Sequence, residues 1–142
     1  MRVREIMTGS PTFCTPETIL QAAAAMMCDA DCGEIPVLES ERTMKPVGVI
    51  TDRDIACRAV AQGKDPRQSR VSEFMTAPAV TIAPDVEAEA AVEMLQRARI
   101  RRVIVVDDKG RCVGIVSQAD IARKCGTFRT GELVREVSGG PV

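Results

Sequence analysis

Two short stretches, "VITDRDIA" at 49–56 and "IVSQADIA" at 115–122, end an apolar run in a hydroxyl followed three residues later by a carboxylate. The pairs are Thr51 with Asp54 and Ser117 with Asp120. Taken singly, each is close to a capping box, in which side chains satisfy the N–H groups left open at a helix start. A carboxylate in that turn also sits at the positive end of the helix, where its charge is stabilised. The same turn can serve a ligand. Its N–H groups can hold an anion, and its carboxylate can accept both hydroxyls of a ribose, as an acidic residue does in dinucleotide folds.

Support for catalysis is lacking. The 142 residues include no histidine, no Gly-x-Gly-x-x-Gly, no phosphate-binding loop and no nucleophile beside an evident base. Six cysteines (Cys14, Cys28, Cys32, Cys57, Cys112 and Cys125) are scattered through apolar segments and read as small hydrophobes in a reducing compartment. Cys28 and Cys32 are the sharpest exception, since i,i+4 spacing on a helix puts both sulfurs on one face, although a zinc site would need two further ligands. Apolar residues make up 45% of the chain, and the net charge of −1 offers no pull toward nucleic acid or anionic membrane. The opening "MRVREIMTGS" lacks the apolar stretch of a signal peptide. No run approaches the roughly eighteen apolar residues of a membrane span. The expectation is a cytoplasmic protein with neither nucleic acid nor membrane as partner.

The elements that position the two turns are duplicated. Met7-Thr8 recurs as Met75-Thr76, and Pro16-Glu17 recurs as Pro84-Asp85 at the same offset. Ala23, Met26 and Ala30 match Ala91, Met94 and Ala98, and Ile35-Pro36-Val37 matches Val103-Ile104-Val105. The first copy carries two extra residues in the loop "ESERTMKP". In each copy a helical pattern is followed by two short apolar strands and a second helix, giving the order β-α-β-β-α. Thr18 and Gln21 are spaced as a capping box for the first helix, "IPVL" and "VGVIT" read as strands, and Gly63 stops the helix that follows. The domains expected are 1–63 for the first repeat, 64–70 for a polar linker, 71–125 for the second repeat and 126–142 for a C-terminal helix and tail. The class expected is α+β, with helices packed on one face of a small sheet.

The paired "IMT…TPETILQAAAAMM…GEIPVL…PVGVITDRDI" and "FMT…APDVEAEAAVEML…RRVIVVDDKGRCVGIVSQADI" resemble tandem cystathionine-β-synthase-type (CBS) domains, most of all the small stand-alone bacterial two-domain proteins. The resemblance runs to about Lys124. It implies two repeats packed as a pseudo-two-fold module, a homodimer, and a regulatory rather than enzymatic role with no catalytic centre or cofactor. The ligand it implies is an adenosine-containing nucleotide (AMP, ADP, ATP or S-adenosylmethionine) held in clefts between the repeats, with the signal passed to a regulated partner protein. The alternative is an apo structural or interaction protein of the same fold. Ile104 stands where the family often has proline.

Carried over, the favoured cleft contains Thr51, Arg53, Asp54, Val80, Ile100, Arg101 and Arg102. The resemblance implies that Asp54 takes the ribose hydroxyls, Thr51 approaches phosphate, Val80 and Ile100 flank adenine, and Arg101 and Arg102 pair with phosphate. The second cleft contains Thr12, Cys32, Gly33, Glu34, Ser117 and Asp120, where Glu34 would repel phosphate.

Overall fold

A computed structural model describes residues 1–125; the C-terminal helix and tail expected over 126–142 lie outside the described residues. In chain order the elements are α1 (Val3–Ile6), β1 (Thr8–Gly9), α2 (Leu20–Ala30), β2 (Glu34–Leu38), β3 (Pro46–Thr51), a π-helix (Asp54–Ala59), β4 (Thr81–Ile82), α3 (Ala88–Ala98), β5 (Arg102–Val106), β6 (Cys112–Ser117) and α4 (Gln118–Cys125). Single 3₁₀ turns cover Val60–Gln62 and Val71–Glu73. The fold is α+β, as the alternation of helical and strand patterns requires.

The apolar runs that end in hydroxyl–carboxylate turns form antiparallel hairpins with the runs before them. Ile35 stands opposite Ile50 in β2–β3, and Val103 stands opposite Val116 in β5–β6. In the second-repeat hairpin, β1 adds antiparallel beside β6 and β4 adds parallel beside β5, giving the order β1-β6-β5-β4. The first-repeat hairpin is flanked in the same manner by single bridges, Thr76 antiparallel to Val49 and Cys14 parallel to Val37.

Repeats in sequence and compact units in space have different boundaries. One unit is Pro11–Ala79; the other joins Met1–Ser10 to the chain from Val80 onward. Each repeat thus gives up its leading segment. In the first unit Val71 N and Ser72 N donate to Thr18 O and Pro16 O. In the other, Val3 N and Arg4 N donate to Val86 O and Pro84 O. The stretch 64–70, expected as a linker, packs within its unit, where Leu20 N donates to Ser69 O at 2.8 Å and Gln21 N to Pro66 O at 3.0 Å. These carbonyls satisfy the first turn of α2. The capping box expected from Thr18 does not form: the N-cap is Ile19, and Thr18 Oγ1 instead accepts from Thr15 N at 3.0 Å. Ala88 N, donating to Met1 O at 2.7 Å, does for α3 what Leu20 N does for α2.

Two cores result. Val3 and Ile6 of α1 are fully buried with Leu95, Val105, Val116 and Ile121. Leu20, Ala23, Ile35, Val37, Ile50 and Val71 form the other. An amino-terminal turn of four residues contributes two fully buried side chains to a unit otherwise made from the second repeat. Ile6→Ala should therefore cost about 2–5 kcal/mol. Hydrogen exchange should accelerate in α3 and β5 before α2 and β2, and equal acceleration in both would contradict this assignment.

Candidate functional site

Both hydroxyl–carboxylate turns close on themselves as the capping chemistry requires. Thr51 N donates to Asp54 Oδ2 at 3.1 Å, and Asp54 N donates to Thr51 Oγ1 at 3.0 Å. In the second repeat Ser117 N donates to Asp120 Oδ2 at 2.9 Å, Asp120 N donates to Ser117 Oγ at 3.2 Å, and Ser117 Oγ donates to Asp120 Oδ2 at 3.1 Å. Each carboxylate therefore keeps Oδ2 in the turn and leaves Oδ1 to other partners.

The Oδ1 oxygens meet the leading segments, and here the repeats diverge. Asp120 Oδ1 accepts from Thr8 Oγ1 at 3.1 Å and from Arg123 Nη2 at 2.5 Å, and the residue is 4% exposed. Asp54 is held more loosely. Thr76 Oγ1 lies 3.4 Å from both of its oxygens, and Arg58 Nη1 stands 3.8 Å from Oδ1. The basic residues after each motif grip the same segments, Arg58 Nη1 donating to Phe74 O at 2.8 Å and Lys124 Nζ to Glu5 O at 3.0 Å. Close approach explains the glycine in each motif strand: a Cβ on Gly48 would lie 2.6 Å from Thr76 O, and one on Gly114 would lie 2.9 Å from Thr8 O. Thr8, Thr76, Arg58, Arg123 and Lys124 were not anticipated as site residues, although the repeated Met-Thr dipeptide marks both threonines. The helix after Asp54 is of π type, one residue wider per turn, whereas α4 after Asp120 is an α-helix.

Several of the other expected site residues lie near the same strand ends within their own units. Arg102 faces Ser117 across β5–β6, Gln118 N donates to Arg101 O at 3.1 Å, and Ile104 N donates to Val80 O at 3.2 Å. Ile100 N donates to Leu95 O, closing α3 after Arg99 turns left-handed. Arg101 and Val80 are exposed; Ile100 and Arg102 are half-buried. In the other unit Glu34 faces Thr51, and Asp52 N donates to Gly33 O at 2.8 Å. Within a unit, then, the acidic Glu34 accompanies Thr51, and the basic Arg102 accompanies Ser117. Arg53 is exposed, with its N–H on Asp52 Oδ1.

Cys28 and Cys32 do not share a helix face. The helix α2 ends at Ala30, Asp31 adopts the left-handed conformation, and Cys32 N donates back to Met27 O at 3.0 Å. Both cysteines do line one pocket of about 660 Å³, walled by Met27, Ile55, Ala56 and Val60 and including Gly33 and Asp52. Thr12 lines a separate pocket of about 370 Å³ with Phe13, Cys14 and Glu41. Among the described residues no group of three or more cysteines or carboxylates could hold a metal ion, and no helix is long and apolar enough to cross a membrane.

Comparison with known proteins gives the same duplication. Residues 3–59 and 71–126 each match the CBS domain. The chain belongs to the CBS domain family, as a tandem pair. It is 38% identical over 120 residues to a CBS domain-containing protein of Bacillus subtilis, covering 84% of this chain and 82% of that one. An uncharacterized protein of Methanopyrus kandleri is 35% identical over 118 residues, covering 83% of this chain, which spans 57% of that relative's length. Among solved structures, the CBS domain pair of protein MJ0100, in complex with 5′-methylthioadenosine and S-adenosyl-L-methionine, superposes with a TM-score of 0.76 at 31% identity, covering 87% of this chain and 94% of that one.

Because Asp120 is buried and fully engaged, Asp120→Asn should destabilise by about 1–3 kcal/mol, more than Asp54→Asn. Denaturant titration of the two variants measures this, and equal losses would contradict the contrast drawn above. Burial also pushes the Cys14 thiol from its ordinary value of 9.0 up to about 12. The thiol stays protonated longer in the folded chain than in the unfolded one. Its contribution to stability is thus intact below about pH 9 and is lost as pH rises toward 12. Cys14→Ala should flatten that alkaline decline.

Proposed function

We propose that this protein is a non-catalytic, cytoplasmic regulatory module that senses adenosine-containing nucleotides, with Asp54 as the ribose-binding carboxylate. The observation that carries this reading is the contrast between the two aspartates. Asp120 has spent its acceptor capacity on Ser117, Thr8 and Arg123. Oδ1 of Asp54 has only a contact of 3.4 Å and an arginine at 3.8 Å. A vicinal diol would give that carboxylate shorter and stronger partners, since hydrogen bonds to a charged acceptor are worth about 1.5–3 kcal/mol. The adenosine ligands of the related MJ0100 domain pair supply the chemical class. Val80 and Ile100 would flank adenine, and Arg101 and Arg102 would pair with phosphate, all four contributed by the other repeat. Thr12, Cys32, Gly33 and Glu34 with Ser117 and Asp120 would make a second, weaker site, from which Glu34 repels phosphate. The active form is a homodimer, and light scattering should report the mass of two chains.

Thermal unfolding with AMP, S-adenosylmethionine and 5′-methylthioadenosine tests the reading. A ligand at 100 times its dissociation constant should add about 2.7 kcal/mol of stability. Asp54→Ala should reduce the shift for all three to the small part that the weaker second site supplies. Arg102→Ala should weaken AMP roughly tenfold or more and leave 5′-methylthioadenosine, which has no phosphate, nearly unchanged. No shift with any of them would favour the structural or interaction role instead.

A further inference from the structure

We propose that Thr76 is a built-in competitor at Asp54, an affinity- and sugar-discriminating residue whose hydroxyl occupies the place a ribose diol takes. The inference rests on the nucleotide reading of Asp54 and goes beyond it by naming what the ligand must displace.

The geometry of the contact carries the argument. Thr76 Oγ1 lies 3.4 Å from Asp54 Oδ1 and 3.4 Å from Oδ2. A threonine hydroxyl has one hydrogen, so it cannot satisfy two acceptors at once, and it rests between them at the long limit of a hydrogen bond. A cis-diol carries two hydrogens and can give each carboxylate oxygen its own. Asp54 is already oriented for such a partner, because the Thr51 N–H at 3.1 Å fixes its Oδ2 edge.

Thr76 can yield without dismantling the fold. Its side chain is exposed, while its backbone is held in both directions by Val49, with Val49 N donating to Thr76 O at 2.9 Å and Thr76 N to Val49 O at 2.8 Å. Rotation about one side-chain bond releases the carboxylate and leaves the ladder intact. The matching threonine in the other repeat does not compete in this way. Thr8 Oγ1 donates to a single oxygen of Asp120 at 3.1 Å, and Arg123 at 2.5 Å holds the same oxygen.

Calorimetric titration with AMP and with 2′-deoxy-AMP, on wild type, Thr76→Val, Thr76→Ala and Asp54→Ala, tests the proposal. Both Thr76 variants remove the donor, one with the β-branch kept and one without, so a folding defect in either leaves the other to report. The expected result is that AMP binds about five- to tenfold more tightly to both variants. The gain for 2′-deoxy-AMP should be smaller, so that discrimination between the two sugars increases. Thr8→Val should bring no such gain. If wild type binds AMP and Asp54→Ala abolishes it, yet both Thr76 variants bind AMP no more tightly than wild type, the competitor role is overturned and the nucleotide reading stands. If wild type binds neither nucleotide, or Asp54→Ala binds as well as wild type, the reading of Asp54 fails and the competitor role with it.

Discussion

A carboxylate with almost no access to water must be given partners, and Asp120 sets that requirement for its unit. It is 4% exposed and draws on the end of β6, the start of α4 and the hydroxyl of Thr8. Leaving one of those bonds unmade would cost about 1–3 kcal/mol, a large fraction of the stability of a domain this size. The demand fixes the amino-terminal segment beside β6, and the rest follows from its place there. Met1 O caps α3, Val3 and Ile6 complete the core, and Gly114 has no room for a side chain. The local polar turn and the sequence-distant contacts thus depend on the same segment.

The first repeat carries the same device in a looser form. Asp54 stands where Asp120 stands, Thr76 where Thr8 stands, and Arg58 where Lys124 stands. The short cation contact from Arg123 at 2.5 Å has no counterpart of that length at Asp54, where the arginine is 3.8 Å away. Asp120 is a fixed structural element, while the partners of Asp54 Oδ1 stand farther off.

Much of the fold was legible because it depends on local pattern. The strand runs 35–37 and 103–105, the stop at Gly63 and the duplicated order of elements all follow from apolar period and turn residues. What was not legible depends on which partner a segment chooses. "RVREIMT" and "RVSEFMT" look like the starts of their own repeats, yet each packs in the other compact unit. No periodicity encodes that choice. The capping box at Thr18 is absent for a related reason: backbone carbonyls of Pro66 and Ser69, far along the chain, satisfy the helix start instead. At the site, the motif aspartates and their hydroxyl partners could be read from spacing alone. The threonines and cations that distinguish them could not, because their roles appear only once the exchanged segments are in place. Helical spacing puts Cys32 on the face of Cys28, but the left-handed Asp31 ends the helix before it.

In the proposed reading the two turns are unequal, and Asp54 is the one open to an adenosine ligand. A crystal structure of the protein soaked with 5′-methylthioadenosine at low occupancy, titrated upward, would measure which turn fills first. The account predicts that the ribose hydroxyls reach Asp54 at the lowest concentration, with Thr76 Oγ1 turned away and Asp120 still bonded to Thr8 and Arg123. Ribose density on Asp120 before Asp54, or on Asp54 with Thr76 still between its two oxygens, would contradict it.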